Sequence, residues 1–161
     1  MYKKFFIIFG LIFFQNFFQN KSFGFSIKNA DIDIESKVLE IAIDQNKARF
    51  IGNVVAKQND FRVNSDELIL FFRKNTIEKV VFLNNVKIRA GNQVAYGNRG
   101  EYSKNNPIFK LTGKIHLVQK NNEIYGDVLT YNINTKKASV STIKNDKSIS
   151  KKKRVQIRLH S

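Results

Sequence analysis

Two stretches decide how this chain folds: Phe50–Phe71, FIGNVVAKQNDFRVNSDELILF, and Phe109–Tyr131, FKLTGKIHLVQKNNEIYGDVLTY. In each, a glycine follows an apolar residue by two positions and opens a run of alternating residues. In each, an aspartate stands fourteen positions after that glycine, ahead of a second apolar run. The alternation has period two, which puts successive side chains on opposite faces of a strand. Ala48, Phe50, Gly52, Val54 and Ala56 share one face. So do Val80, Phe82, Asn84, Val86 and Ile88, and again Phe109, Leu111, Gly113, Ile115 and Leu117. The opposite positions, Asn53, Lys57, Lys87, Arg89, Lys114 and His116, are polar and face outward.

A turn-rich gap (QND, AGN, KNN) follows each of these runs, and then a second pattern. Val63-x-Ser65-x-x-Leu68-x-Leu70 and Ile124-x-Gly126-x-x-Leu129-x-Tyr131 are its clearest copies. Ile34-x-Ser36-x-x-Leu39-x-Ile41 stands before them, and Ala95-x-Gly97-x-x-Gly100-x-Tyr102 is weaker. The step of three would turn the rest of the strand over unless one residue bulges out. Bulges are therefore expected near Lys37, Asp66, Asn98 and Asp127, positions 29, 32 and 29 residues apart. A period near thirty with two strands per copy defines an all-β repeat that stacks antiparallel strands. Its apolar face is expected to close as a sandwich or jelly roll. Asp66 and Asp127 are assigned to turn or bulge hydrogen bonds, because Lys37 and Asn98 fill the same slot and do no carboxylate chemistry.

Outside the repeats, the first 26 residues stand apart. Lys3 and Lys4 precede ten apolar or glycine residues, Phe5–Phe14, and Gly24 and Ser26 are the small residues of a cleavage site. Ten helical residues rise only about 15 Å, half the hydrocarbon core of a bilayer. Residues 1–26 read as a secretory signal, with an uncleaved inner-membrane anchor as the second reading. Cleavage removes Lys3, Lys4 and Lys21 and lowers the formal net charge from +15 to +12. Residues 27–143 form the β-domain. Residues 136–161 hold nine Lys or Arg against Asp146 alone, and 144–161 are expected to be a basic, solvated tail.

The chain has no cysteine, so neither disulfides nor thiolate chemistry enter. Its histidines, His116 and His160, have no ligand or triad partner at recognisable spacing. Nothing here indicates an enzyme, and no cofactor is expected. The positive charge points to an anionic partner. Export and the lack of an aromatic stacking platform argue against nucleic acid.

The run from Ile32 to Phe72 resembles the OstA-like proteins of lipopolysaccharide export, the LptA family. The likeness is carried by Ile34–Ile41, by Phe50-Ile51-Gly52-Asn53-Val54, by Ser65-Asp66-Glu67-Leu68-Ile69-Leu70 and by Gly126-Asp127-Val128-Leu129-Thr130-Tyr131. Ser36-Lys37 and Asn84-Asn85 depart from the Ala-Asp and Gly-Asn of that pattern.

The resemblance implies a twisted open antiparallel β-jelly roll in the periplasm that shields lipopolysaccharide acyl chains between the two membranes. The lipid would lie along Ile34, Leu39, Ile41, Phe50, Val54, Leu68, Leu70, Phe82, Val86, Leu111, Ile115, Leu129 and Tyr131, residues that equally suit a dry core. The expected partners are LptC-type inner-membrane and LptD-type outer-membrane proteins, docked at edge strands, with self-association as a further option. Two other readings are an anchored LptC-type component and a structural or polyanion-binding β-module.

Overall fold

The computed structural model describes residues 32–74, 76–143 and 154–159, so the expected signal segment lies outside the described residues. Ten strands form one antiparallel sheet: β1 (Asp33–Glu35), β2 (Val38–Ala42), β3 (Lys47–Gln58), β4 (Phe61–Arg73), β5 (Thr76–Ala90), β6 (Gln93–Ser103), β7 (Asn106–Gln119), β8 (Asn122–Asn132), β9 (Lys137–Ser141) and β10 (Gln156–Arg158). From β3 to β8 the order in space is the order in sequence. Register makes several of the turns two residues long, as between Gln58 and Phe61, Ala90 and Gln93, and Gln119 and Asn122. Asn59, Gly91 and Lys120 open these turns with φ of 52°, 58° and 53°. A positive φ there matches the strand twist that two-residue hairpins require.

One column of irregular residues crosses the whole sheet. Strand pairing breaks at Gly52-Asn53 opposite Asp66, at Asn84-Asn85 opposite Asn98, and at Gly113-Lys114 opposite Asp127. The column begins at Lys37, whose N–H donates to the Gly52 carbonyl at 3.0 Å. All six paired residues are left-handed, with φ between 49° and 87°. The bulges thus fall on the expected column. The extra residue, however, belongs to β3, β5 and β7 and not to the strands of Asp66, Asn98 and Asp127. Glycine and asparagine tolerate this backbone best. At Gly113 a side chain is also excluded by space, because an added Cβ would stand 2.8 Å from Asn98 Cβ.

The column divides every long strand into two parts and the sheet into two wings. The first wing runs from β2 to β9 through the early part of β3, β5 and β7 and the late part of β4, β6 and β8. The second runs from β1 to β10 through the complementary parts. Residues on one face of a single sheet lose all contact with water only if something covers that face. Here Leu68, Phe82, Leu111 and Leu129 of the first wing and Val54, Ile88, Leu117 and Ile124 of the second are all 0–1 % exposed and belong to one cluster. The wings therefore fold over each other and each covers the other. Contact next to the corner is tight: a Cβ on Gly97 would meet Leu111 Cγ at 2.7 Å.

The C-terminal residues correct one expectation. Within 144–161, expected to be a basic, solvated tail, the described residues 156–158 form a strand: Gln156, Ile157 and Arg158 pair with Tyr125, Ile124 and Glu123 of β8. Alternating Val155, Ile157 and Leu159 explain the strand, since Ile157 continues the inner apolar face beside Ile124.

Candidate functional site

The sheet offers two kinds of surface, an inner apolar face and an outer polar one. The inner face contains the residues expected to meet lipid. Nine of them, Val54, Leu68, Leu70, Phe82, Val86, Leu111, Ile115, Leu129 and Tyr131, are at most 5 % exposed. Ile34 and Phe50 are partly buried and pack against this cluster. In the closed arrangement described, these side chains meet one another between the wings.

Leu39 and Ile41 differ. They pair with Phe50 and Ala48, so they share the inner face, since directly paired residues project to the same side. Yet they are 51 % and 67 % exposed. Alternation identified their face correctly; the expectation of an enclosed position is corrected. Among the described residues, no opposing strand lies over them at this end of the sheet. Ile43, just past β2, is 85 % exposed and extends the exposed apolar rim. On the outer side of the same strands lies a recess of about 250 Å³, lined by Glu40, Ile41, Ala42, Gln45, Lys47 and Arg49.

The far end is similar. Val140 and Ala138 of β9 pair with Leu129 and Tyr131 and are partly buried, whereas Ile143, Ile157 and Leu159 are each more than half exposed. On the outer side of β8 and β10 lies a second recess, of about 370 Å³, lined by Tyr125, Gln156, Ile157 and Arg158. The apolar interior is thus sealed along its middle and open at both rims. Among the described residues, both rims also end in strands with one side unpaired: β1 and β2 at one end, β9 and β10 at the other.

The acidic residues of the corner column have structural partners. Asp66 accepts a hydrogen bond from Asn85 at 2.7 Å, and Asp127 accepts one from the Ile143 N–H at 3.0 Å. Their carboxylates hold the corner, which is the role expected for them.

On the outer face, Arg49 of the first wing donates to both oxygens of Glu67, at 2.6 and 3.0 Å, with Glu40 at 3.4 Å. The hydrogen bond from Arg49 holds the Glu67 carboxyl below the usual carboxylate range. Glu101, bound by Lys79 and Arg99, is lowered in the same way. On the second wing Tyr96, His116 and Tyr125 stack across three adjacent strands, with centroids 5.7 and 4.5 Å apart. Glu123 lies within reach of both the Tyr125 hydroxyl and His116, and the Tyr125 hydroxyl chiefly lowers its carboxyl. Sequence spacing did not reveal this stack. Its members are 20 and 9 residues apart, and only the strand register aligns them. Among the described residues, no group of three His, Asp or Glu is placed to hold a metal ion.

A single antiparallel sheet, folded along a column of left-handed residues with its first and last strands not joined, defines a class of open β-jelly rolls that bury one apolar face without closing a barrel. Residues 33–137 match the family model for the LptA/LptD N-terminal domain, lipopolysaccharide transport proteins, and the chain belongs to this family. Among solved structures, the chain is similar to the crystal structure of LptH from Pseudomonas aeruginosa. That protein is described as the LptA-homologous periplasmic component of the conserved lipopolysaccharide transport device. The two superpose with a TM-score of 0.69 at 17 % identity, over 84 % of this chain and 99 % of LptH, a likeness of fold. No curated protein sequence matches the chain.

Proposed function

We propose that this protein is a periplasmic carrier that conducts lipopolysaccharide from the inner to the outer membrane, holding its acyl chains against the inner face of the folded sheet. The observation that carries this reading is the exposed apolar rim, Leu39 and Ile41, continuous with a core of the same face. Exposing an acyl chain to water costs about 0.8 kcal/mol per methylene, so a chain of a dozen costs roughly 10 kcal/mol. A continuous apolar lining removes that cost at every point of the path. The rim is where a chain enters; passage between the wings requires them to part along the corner column. The open edges suit pairing with sheets of the same architecture, LptC-type at the inner membrane and LptD-type at the outer, or with a second copy.

The test is site-specific photo-crosslinking in cells exporting lipopolysaccharide. A crosslinker at Ile41 is expected to capture lipopolysaccharide strongly, one at Leu111 to capture it during transport, and one at outward Lys110 to capture none. Equal labelling at Ile41 and Lys110, or no labelling at any site, overturns the reading. N-terminal sequencing of the exported protein separates the carrier from an anchored LptC-type component: a start at Ile27 supports the carrier, and retention of Met1 supports the anchor.

A further inference from the structure

On the outer face of the second wing, strand register aligns three cations directly across from one another. Lys57 of β3 pairs with Arg62 of β4, and Arg62 pairs with Arg89 of β5. Lys87 stands two residues from Arg89, in the neighbouring row, across from Tyr96. Directly paired residues have Cβ atoms about 5 Å apart, and like charges placed so are destabilising. Lys57 has a carboxylate partner, Glu35, at 2.7 Å. Arg62 reaches Asn64 at 3.3 Å, and Lys87 lies over the Tyr96 ring at 5.5 Å. Among the described residues, none of Arg62, Lys87 and Arg89 has a carboxylate in ion-pair contact. Acidic residues stand only at the β1 end of this row, where Asp33 faces Lys57 and Glu35 is drawn to Lys57 and, more weakly, to Arg62, so the positive charge is only partly offset and persists toward β5.

These cations stand side by side on a sheet face. They do not converge on one point, as a small anion would need. Tyr96, 39 % exposed, adds an amphipathic ring at the border of the cluster, a residue type enriched where water meets lipid. We infer that the outer face of the second wing, through Lys57, Arg62, Lys87 and Arg89, docks the protein onto an anionic phospholipid membrane surface. The chemistry recognised is the headgroup phosphate, and the source is a bilayer presenting many of them. Each Lys or Arg near such a surface contributes on the order of 1 kcal/mol, which is screened by salt. Docking of this kind leaves the inner face and both rims free. The inference does not depend on the transport reading, because its ligand and its surface are different.

The experiment is flotation of the full chain with vesicles of phosphatidylcholine alone and of phosphatidylcholine with phosphatidylglycerol, free of lipopolysaccharide. The protein is expected to float only with the anionic vesicles, and to be released at about 1 M salt, where screening acts within about 3 Å. R62E/R89E is expected to lower binding about tenfold or more, and the charge-matched K110E/K137E on the first wing to change it less than about twofold. Circular dichroism of each variant confirms the fold. Binding that survives in R62E/R89E, or falls equally in both variants, places the attraction elsewhere and overturns the proposal. So does release by phosphate well beyond that by chloride at matched ionic strength, which would identify a small-anion site, or failure of the folded protein to bind anionic vesicles at all.

Discussion

The two wings share a backbone plan and an inner face, but their outer faces differ most across β3 to β5, where the first wing pairs opposite charges and the second places like charges side by side. On the first wing, charges alternate in sign across the strands: Glu40 faces Arg49, and Glu101 faces Lys110. Arg49, Lys79 and Arg99 each hold a carboxylate within 3.0 Å. On the second wing, Lys57, Arg62 and Arg89 face one another. Strand pairing needs none of this difference, since backbone hydrogen bonds ignore side-chain charge. The contrast teaches that backbone pairing fixes the inner face and leaves the outer face free to differ, and the like charges of β3 to β5 are the arrangement from which membrane docking is inferred.

The largest expected effect tests the shared half of this comparison. Leu111→Ala on the first wing and Leu117→Ala on the second remove side chains that are both 0 % exposed. Each is expected to cost about 2–5 kcal/mol in urea unfolding, and the two costs should agree within about 1 kcal/mol. A marked inequality would show that the wings do not contribute equally to one core.

Glu67→Gln probes the ordered face. Arg49 holds the folded-state carboxyl of Glu67 below its ordinary value of 4.5. A lowered carboxyl stabilises the fold above the unfolded-state value and loses that contribution as pH falls through the folded-state value. The variant is therefore expected to be less stable by about 1 kcal/mol at pH 7, and to converge with the parent as pH falls below about 4. A difference that persists unchanged in acid would assign the effect to packing.

Arg89→Glu has the smallest effect and the opposite sign. Replacing a like charge opposite Arg62 by an opposite one should leave stability unchanged or raise it by up to about 0.5 kcal/mol, measured by thermal unfolding at low salt. A loss of stability would mean that Arg89 is held by the fold itself.

Much of this architecture is legible in the sequence. Period-two alternation in Phe109–Leu117 and Ala48–Ala56 placed the inner face correctly, because alternation reports face directly. The step of three in Val63–Leu70 located the corner column. Which strand carries the extra residue was not legible, because a bulge is a property of a pair and the pairing partners of Asp66 lie on two strands. Leu39 and Ile41 show a similar limit: alternation gives the face of a residue, not whether another wing lies over it. Lysines 151–153 disguised the alternation in Val155–Leu159, and so hid β10. The cation cluster and the aromatic stack are assembled only by register, from residues well separated in the chain.

The corner column from Lys37 to Asp127 has a consequence for size. Each pair of strands meets the bend at the same height, so the profile cut across the strands repeats unchanged from β3 to β8. Inserting or deleting one pair of strands, about thirty residues, would lengthen or shorten the body by two strand spacings, roughly 10 Å, and leave that profile intact. Reach is therefore an adjustable quantity in this architecture, set by the number of repeats, while the distance between the wings is not.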